Sequence, residues 1–166
     1  MRDRSDSVDD CSSVLLVGAA PRDARIAACG LEREGVSMDG AADVRAAIDR
    51  LARGSEDQTN VDLPDLLAID LTTTPQEGLT VLGAIRASPR LHALPVVAIV
   101  EQTPPASELR TRVREACERG VNGYVAKPDD VEAYAAAVQQ MATFWFGRVS
   151  PPPESLYSAS TSTQYD

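Results

Sequence analysis

Apolar residues in this chain come in two textures. Short unbroken runs at Ser13–Gly18, Leu66–Leu71, Pro95–Val100 and Gly123–Pro128 alternate with stretches where apolar residues recur every third or fourth position. The runs predict buried strands and the periodic stretches predict helices. Val36–Met38 predicts a further short strand. Pro21 opens a helix over 22–34 that buries Ile26, Ala27 and Leu31 and ends at Gly35. A second helix carries Val44, Ala47, Ile48 and Leu51 and closes at Gly54, followed by a polar loop over Ser55–Asp62. The third, Gly78–Ala87, carries Leu79, Leu82 and Ile85, and the fourth, Glu108–Arg119, carries Leu109, Val113 and Ala116 before Gly120. Asp129 and Asp130 sit where an N-cap belongs. They precede a last stripe of Val131, Tyr134, Val138, Met141 and Trp145.

Five strands alternating with five helices, the strands apolar on both faces, predict an α/β fold: a doubly wound parallel sheet between two helix layers. Crossovers in such a sheet are right-handed, and functional residues gather at the carboxyl ends of the strands. The polar ends, 1–12 and 150–166, predict disordered tails, acidic at the first and rich in Pro, Ser and Thr at the second, around one domain at 13–149.

Composition narrows the function. The chain has 166 residues and a net charge of −9, which argues against nucleic acid as a partner. No apolar stretch approaches the roughly 20 residues of a membrane helix, and the start, MRDRSDSVDD, is too acidic for a signal peptide. Cys11, Cys29 and Cys117 form no close pair, so the expectation is small buried or tolerated thiols in a reducing cytoplasm. His92 stands alone and has no catalytic set around it. Lys127 is the only lysine among 16 cations, and Phe144, Trp145 and Phe146 hold both phenylalanines and the one tryptophan.

In chain order the strand ends present Gly18, Ala19 and Ala20, then Asp70, then Val100 and Glu101, then Lys127 and Pro128. An aspartate closing the run Leu66–Ile69 is costly to desolvate unless paired. A charge pair about 4 Å apart at an effective dielectric near 20 is worth on the order of 4 kcal/mol before desolvation. An Asp70–Lys127 pair that closes the end of the sheet is therefore the plain expectation.

Pro64-Asp65-Leu66-Leu67-Ala68-Ile69-Asp70-Leu71, Leu94-Pro95-Val96-Val97 and Gly120-Val121-Asn122-Gly123-Tyr124-Val125-Ala126-Lys127-Pro128 resemble the response-regulator receiver domain of two-component signalling. The likeness covers about residues 13–149 and is closest to small stand-alone receivers, including those paired with phytochrome-type kinases. It implies a flavodoxin-like fold with strand order 2-1-3-4-5. It further implies that Asp70 accepts a phosphoryl group from a histidine kinase, that Lys127 pairs with that group, and that Tyr124 changes rotamer on activation. In the family, two acids after the first strand help hold Mg²⁺, and a hydroxyl at the end of the fourth strand bonds the phosphoryl oxygen.

The chain departs from that pattern. Gly18 and Ala19 stand where the acids belong, Val100 where the hydroxyl belongs, and Glu101 where a small residue is usual. Asp23 lies past Pro21, inside the helix, and is not expected to replace the missing acids. Asp70 with Lys127 sums to zero charge, and Mg²⁺ gives up its water reluctantly to a single carboxylate. No cofactor or metal is therefore expected. Phosphoryl transfer rests on electrostatic stabilisation of the transferring group, so the pocket reads as degenerate. Glu101 either faces solvent or reaches Lys127 in place of a phosphoryl oxygen.

The sequence thus points to a non-enzymatic cytoplasmic receiver acting through protein contacts. A working phospho-acceptor at Asp70 and a small-ligand sensor remain as alternatives. Three consecutive aromatics span about 200° of a helix, so one stripe cannot bury Phe144, Trp145 and Phe146 together. The last helix is therefore the expected contact surface, for a kinase, another signalling protein or a second copy.

Overall fold

The computed structural model of the protein describes residues 12–57, 63–73, 75–102 and 105–147. Strands β1 (Ser13–Val17), β2 (Ser37–Ala41), β3 (Leu66–Asp70), β4 (Val96–Glu101) and β5 (Gly123–Lys127) alternate with five helices. These are α1 (Pro21–Glu32), α2 (Val44–Asp57), α3 (Pro75–Ala87), α4 (Ala106–Glu118) and α5 (Val131–Phe146). All strand pairs are parallel, in the order β2-β1-β3-β4-β5 that the resemblance implied. Every residue of β3 is buried, as a central strand with helices on both faces requires.

The two-residue period of the strands divides the core. Leu15, Val17, Leu67, Ile69, Ala98 and Val100 pack against α2, α3 and α4. Val14, Leu16, Leu66, Ala68, Val97, Ile99 and Val125 pack against α1 and α5. By the same alternation Asp70 follows Ala68, and Lys127 follows Val125, onto the α1/α5 side. Val100 points the other way.

Several boundaries differ from the sequence pattern. β2 is Ser37–Ala41, and only Ala41 in it is buried. Val36 is buried just ahead of the strand, where its N–H donates to Leu31 O. The apolar signal therefore marks the entry into this edge strand, through Val36 and Met38, and the strand runs on to Ala41 where the sequence is polar. α2 runs past Gly54 to Asp57, so the first three residues of the polar loop expected over Ser55–Asp62 are helical. α3 and α4 begin at Pro75 and Ala106, earlier than the apolar spacing predicts. Cys29 and Cys117 are exposed and free, the second of the two alternatives expected for them, while Cys11 lies outside the described residues. So do the tails expected over 1–12 and 150–166, apart from Ser12.

α1 and α5 pack closely because Gly30 faces the Ala135 backbone and the Val138 side chain. Arg33 on the last turn side of α1 pairs with Glu132 at 3.0 Å on the first turn of α5. Asp130 caps α5, its side chain accepting from Ala133 N–H at 2.8 Å. This helix pair fixes the wall that faces Asp70 and Lys127.

Candidate functional site

Asp70 is 1% exposed and is the one buried charged residue in the described core. Its Oδ1 accepts from the Thr72 backbone N–H at 2.8 Å and from the Thr72 hydroxyl. Its Oδ2 is buried with no partner. Burial pushes the carboxyl above its ordinary value of 3.8, against the two Thr72 hydrogen bonds and the Lys127 charge, while Asp23 adds to the rise.

Lys127 makes its ion pair with Asp23, not with Asp70: Nζ to Oδ2 is 2.6 Å, with both side chains mostly buried. This corrects the expected Asp70–Lys127 pair and places Asp23 in the pocket as the partner of the lysine. Gly18–Ala20 is only three residues long, so α1 starts directly above the carboxyl end of β1. Asp23, third in that helix, is turned back to the sheet in its first turn. The positive end of the helix dipole also favours a carboxylate there.

Thr72 bridges the two acids' territories. Its hydroxyl donates to Asp70 and lies 3.4 Å from Lys127 Nζ, from which it accepts. Lys127 Nζ also sits 5.7 Å from the centre of the Tyr134 ring, within cation–π range. The resulting order across the pocket is Asp70, Thr72, Lys127, Asp23. Thr72 had no sequence signal beyond standing two residues after Asp70, and Tyr134 was read only as part of an apolar stripe.

Gly18 has φ +84°, and a Cβ there would come 3.3 Å from Asp70 O. An acid at position 18 would thus carry backbone strain. Ala19 is half-buried against the α1/α5 side of the core and its side chain carries no oxygen. Val100 supplies no hydroxyl and lies among Leu71, Leu79 and Ala116 on the opposite face from Asp70. Glu101 is opposite Lys127 in the β4–β5 register, yet no ion pair joins them among the described residues, because Asp23 takes the ammonium. The cavity beside Lys127, with Arg22, Asp23, Ile26, Asp130 and Tyr134 in its wall, holds about 110 Å³. That is smaller than the roughly 300 Å³ at which small-molecule sites begin.

On the edge beyond β5, Tyr124 is 50% exposed and Phe144 is 77% exposed. Trp145 and Phe146 pack partly against the core, and Trp145 meets Phe144 edge to face at 5.5 Å between ring centres. Of the three aromatics, Phe144 is the one that the helix leaves outside. Tyr124, Met141, Phe144 and Trp145 line a groove of about 460 Å³ between β5 and α5. No described helix is long and apolar enough to cross a membrane.

A parallel 2-1-3-4-5 sheet with an aspartate and a lysine at the carboxyl ends of its third and fifth strands defines a signalling receiver in form. Comparison with known proteins agrees. No family model matches the chain. The probable methanogenesis regulatory protein FilR2 of Methanothrix harundinacea is 32% identical over 114 residues, 67% of this chain and 68% of that protein. The chemotaxis protein CheY of Pseudomonas aeruginosa is 32% identical over 77 residues, 46% of this chain and 58% of that protein. Among solved structures, the Mn(2+)-bound form of response regulator Rcp1 aligns with a TM-score of 0.67 at 26% identity, covering 85% of this chain and 99% of that one. The bacteriophytochrome response regulator RtBRR aligns with a TM-score of 0.58 at 30% identity, covering 89% and 87%. The chain belongs to the response-regulator receiver family of two-component signalling.

Proposed function

We propose that this receiver signals by protein–protein contact, with a pocket that Asp23 and Lys127 close on themselves and with little Mg²⁺-dependent phosphorylation of Asp70. The observation that carries the reading is the 2.6 Å Lys127–Asp23 pair. The cation that would meet an incoming phosphoryl group already has a carboxylate partner. The donor set does not fit Mg²⁺ either. Gly18 and Ala19 bring no side-chain oxygen, and the Asp23 carboxylate is already engaged by Lys127, which leaves Asp70 as the one acid of the pocket without a cation partner.

The partner is a histidine kinase or another cytoplasmic signalling protein, and the groove between β5 and α5 with exposed Phe144 and Tyr124 is its contact surface. A second copy docking through α5 is the self-complementary version; sedimentation as a monomer at high micromolar concentration would remove it. The acid excess disfavours nucleic acid.

Incubation with acetyl phosphate and Mg²⁺, read by intact mass, tests the reading. The expected result is no phosphoryl adduct on the wild-type chain. A clear adduct that disappears in Asp70→Asn would sink it in favour of a working phospho-acceptor. That second reading has one observation on its side, the Asp70 Oδ2 with no partner.

A further inference from the structure

Among the described residues, two buried side-chain polar atoms have no hydrogen-bond partner, Asp70 Oδ2 and the Tyr134 hydroxyl. Their residues are 1% and 2% exposed. They lie on the same side of the sheet: Asp70 follows Ala68 in the strand alternation, and Tyr134 packs in the cluster that holds Ala68. One atom is an acceptor and the other carries a donor. Each costs about 1–3 kcal/mol if left unmade in the interior. An apolar side chain at position 134 would have filled the stripe of α5 without that cost.

Lys127 ties the two together. Its ammonium stands 5.7 Å from the Tyr134 ring centre and 3.4 Å from the Thr72 hydroxyl that holds Asp70 Oδ1. Burial first, then the charges of Asp70 and Asp23, hold the phenol well above its ordinary value of 10.0. It therefore stays protonated, and a donor, across the physiological range.

We propose that Tyr134 is a positioning residue of the Asp70 pocket, its ring holding the Lys127 ammonium at Asp23 and its O–H donating to Asp70 Oδ2 through one buried water. Buried waters occupy sites where complementary polar groups would otherwise go unpaired. Tyr134 thereby brings to Asp70, from the helix wall, the hydroxyl that Val100 does not bring from the sheet. The assignment concerns the pocket at rest and stands whether or not Asp70 is phosphorylated, so its test is independent of acetyl phosphate.

The charged and titratable groups around Asp70 are Lys127 on β5, Asp23 on α1, Tyr134 on α5 and, on the same face of β4, Glu101. Tyr134→Phe keeps the ring and removes only the donor. Carboxyl ¹³C NMR of the full chain, with the Asp70 signal assigned by Asp70→Asn, reads the consequence. A donor lost from the carboxylate raises the Asp70 midpoint, by about one pH unit. Tyr134→Leu removes ring and donor together. It is expected to raise the Asp70 midpoint equally and also to move the Lys127 side-chain resonance, which Tyr134→Phe leaves in place. A rise below about half a unit in Tyr134→Phe overturns the assignment, because a purely packing role for the ring predicts no change. Tyr134→Phe alone decides the matter should Tyr134→Leu not fold.

Discussion

Asp70→Asn is expected to stabilise the protein at pH 7 by about 1–3 kcal/mol, a rise of roughly 3–8 °C in Tm for a chain of this size. The neutral amide keeps an oxygen for the Thr72 N–H and hydroxyl and removes the cost of burying a charge that has no ion-pair partner of its own, Lys127 being held by Asp23. The sign follows from burial. The folded state holds the Asp70 proton more tightly than the unfolded chain does, since the folded value lies above 3.8. Below the unfolded value the carboxyl is protonated in both states and costs nothing. As pH rises through the folded value, that advantage is lost and native stability falls. Thermal melts of the two proteins should therefore converge near pH 3.5 and separate toward neutrality. A variant less stable than wild type at pH 7 would show that Asp70 is better satisfied than its hydrogen bonds indicate.

Gly30→Ala is expected to destabilise by about 2–3 kcal/mol, read as a loss of roughly 5–10 °C in Tm. The added carbon would collide with Ala135 O and come within 3.1 Å of Val138 Cβ and 3.2 Å of Ala135 C. The backbone atoms among these cannot rotate away, so α1 and α5 must separate. Alanine's better helix propensity returns only about 1 kcal/mol of that loss. Gly83→Ala on α3, where nothing lies within 4 Å of the new carbon, is the matched control and should be stabilising by up to about 1 kcal/mol. Ala135 follows Tyr134, and Asp23 lies on the same helix as Gly30, so the same substitution should also disturb the Lys127 environment. Equal melting points for the two variants would mean that the helices are not packed through Gly30.

The architecture was largely legible, and for a physical reason. Strands buried on both faces must be apolar throughout, so Leu66–Ile69 and Val96–Val100 announce themselves. β2 showed only at its start, Val36–Met38, because an edge strand reading Ser37-Met38-Asp39-Gly40-Ala41 is solvated on most of its length. The positions of Asp70 and Lys127 at strand ends were also legible, since a lone charge after an apolar run marks the place where the run stops. Their pairing was not. Which carboxylate meets Lys127 depends on how soon α1 begins after Gly18, and a three-residue connection brings Asp23 back within 2.6 Å. Linear distance from the strand end had argued the reverse. Tyr134 was hidden for another reason. Periodicity reports the face on which a side chain lies, and the phenol oxygen at its tip has no period of its own. Phe144 lay between these cases: the angular argument required that one aromatic stay outside, and packing chose which.

Asp23, not Asp70, holds Lys127. Because Lys127 is the only lysine, labelling with ¹³Cε-lysine gives a single side-chain resonance from the whole chain. Asp23→Asn is expected to shift this resonance well away from its wild-type position, while Asp70→Asn leaves it close to where it was. A larger shift in Asp70→Asn than in Asp23→Asn would overturn this pairing and return Lys127 to Asp70.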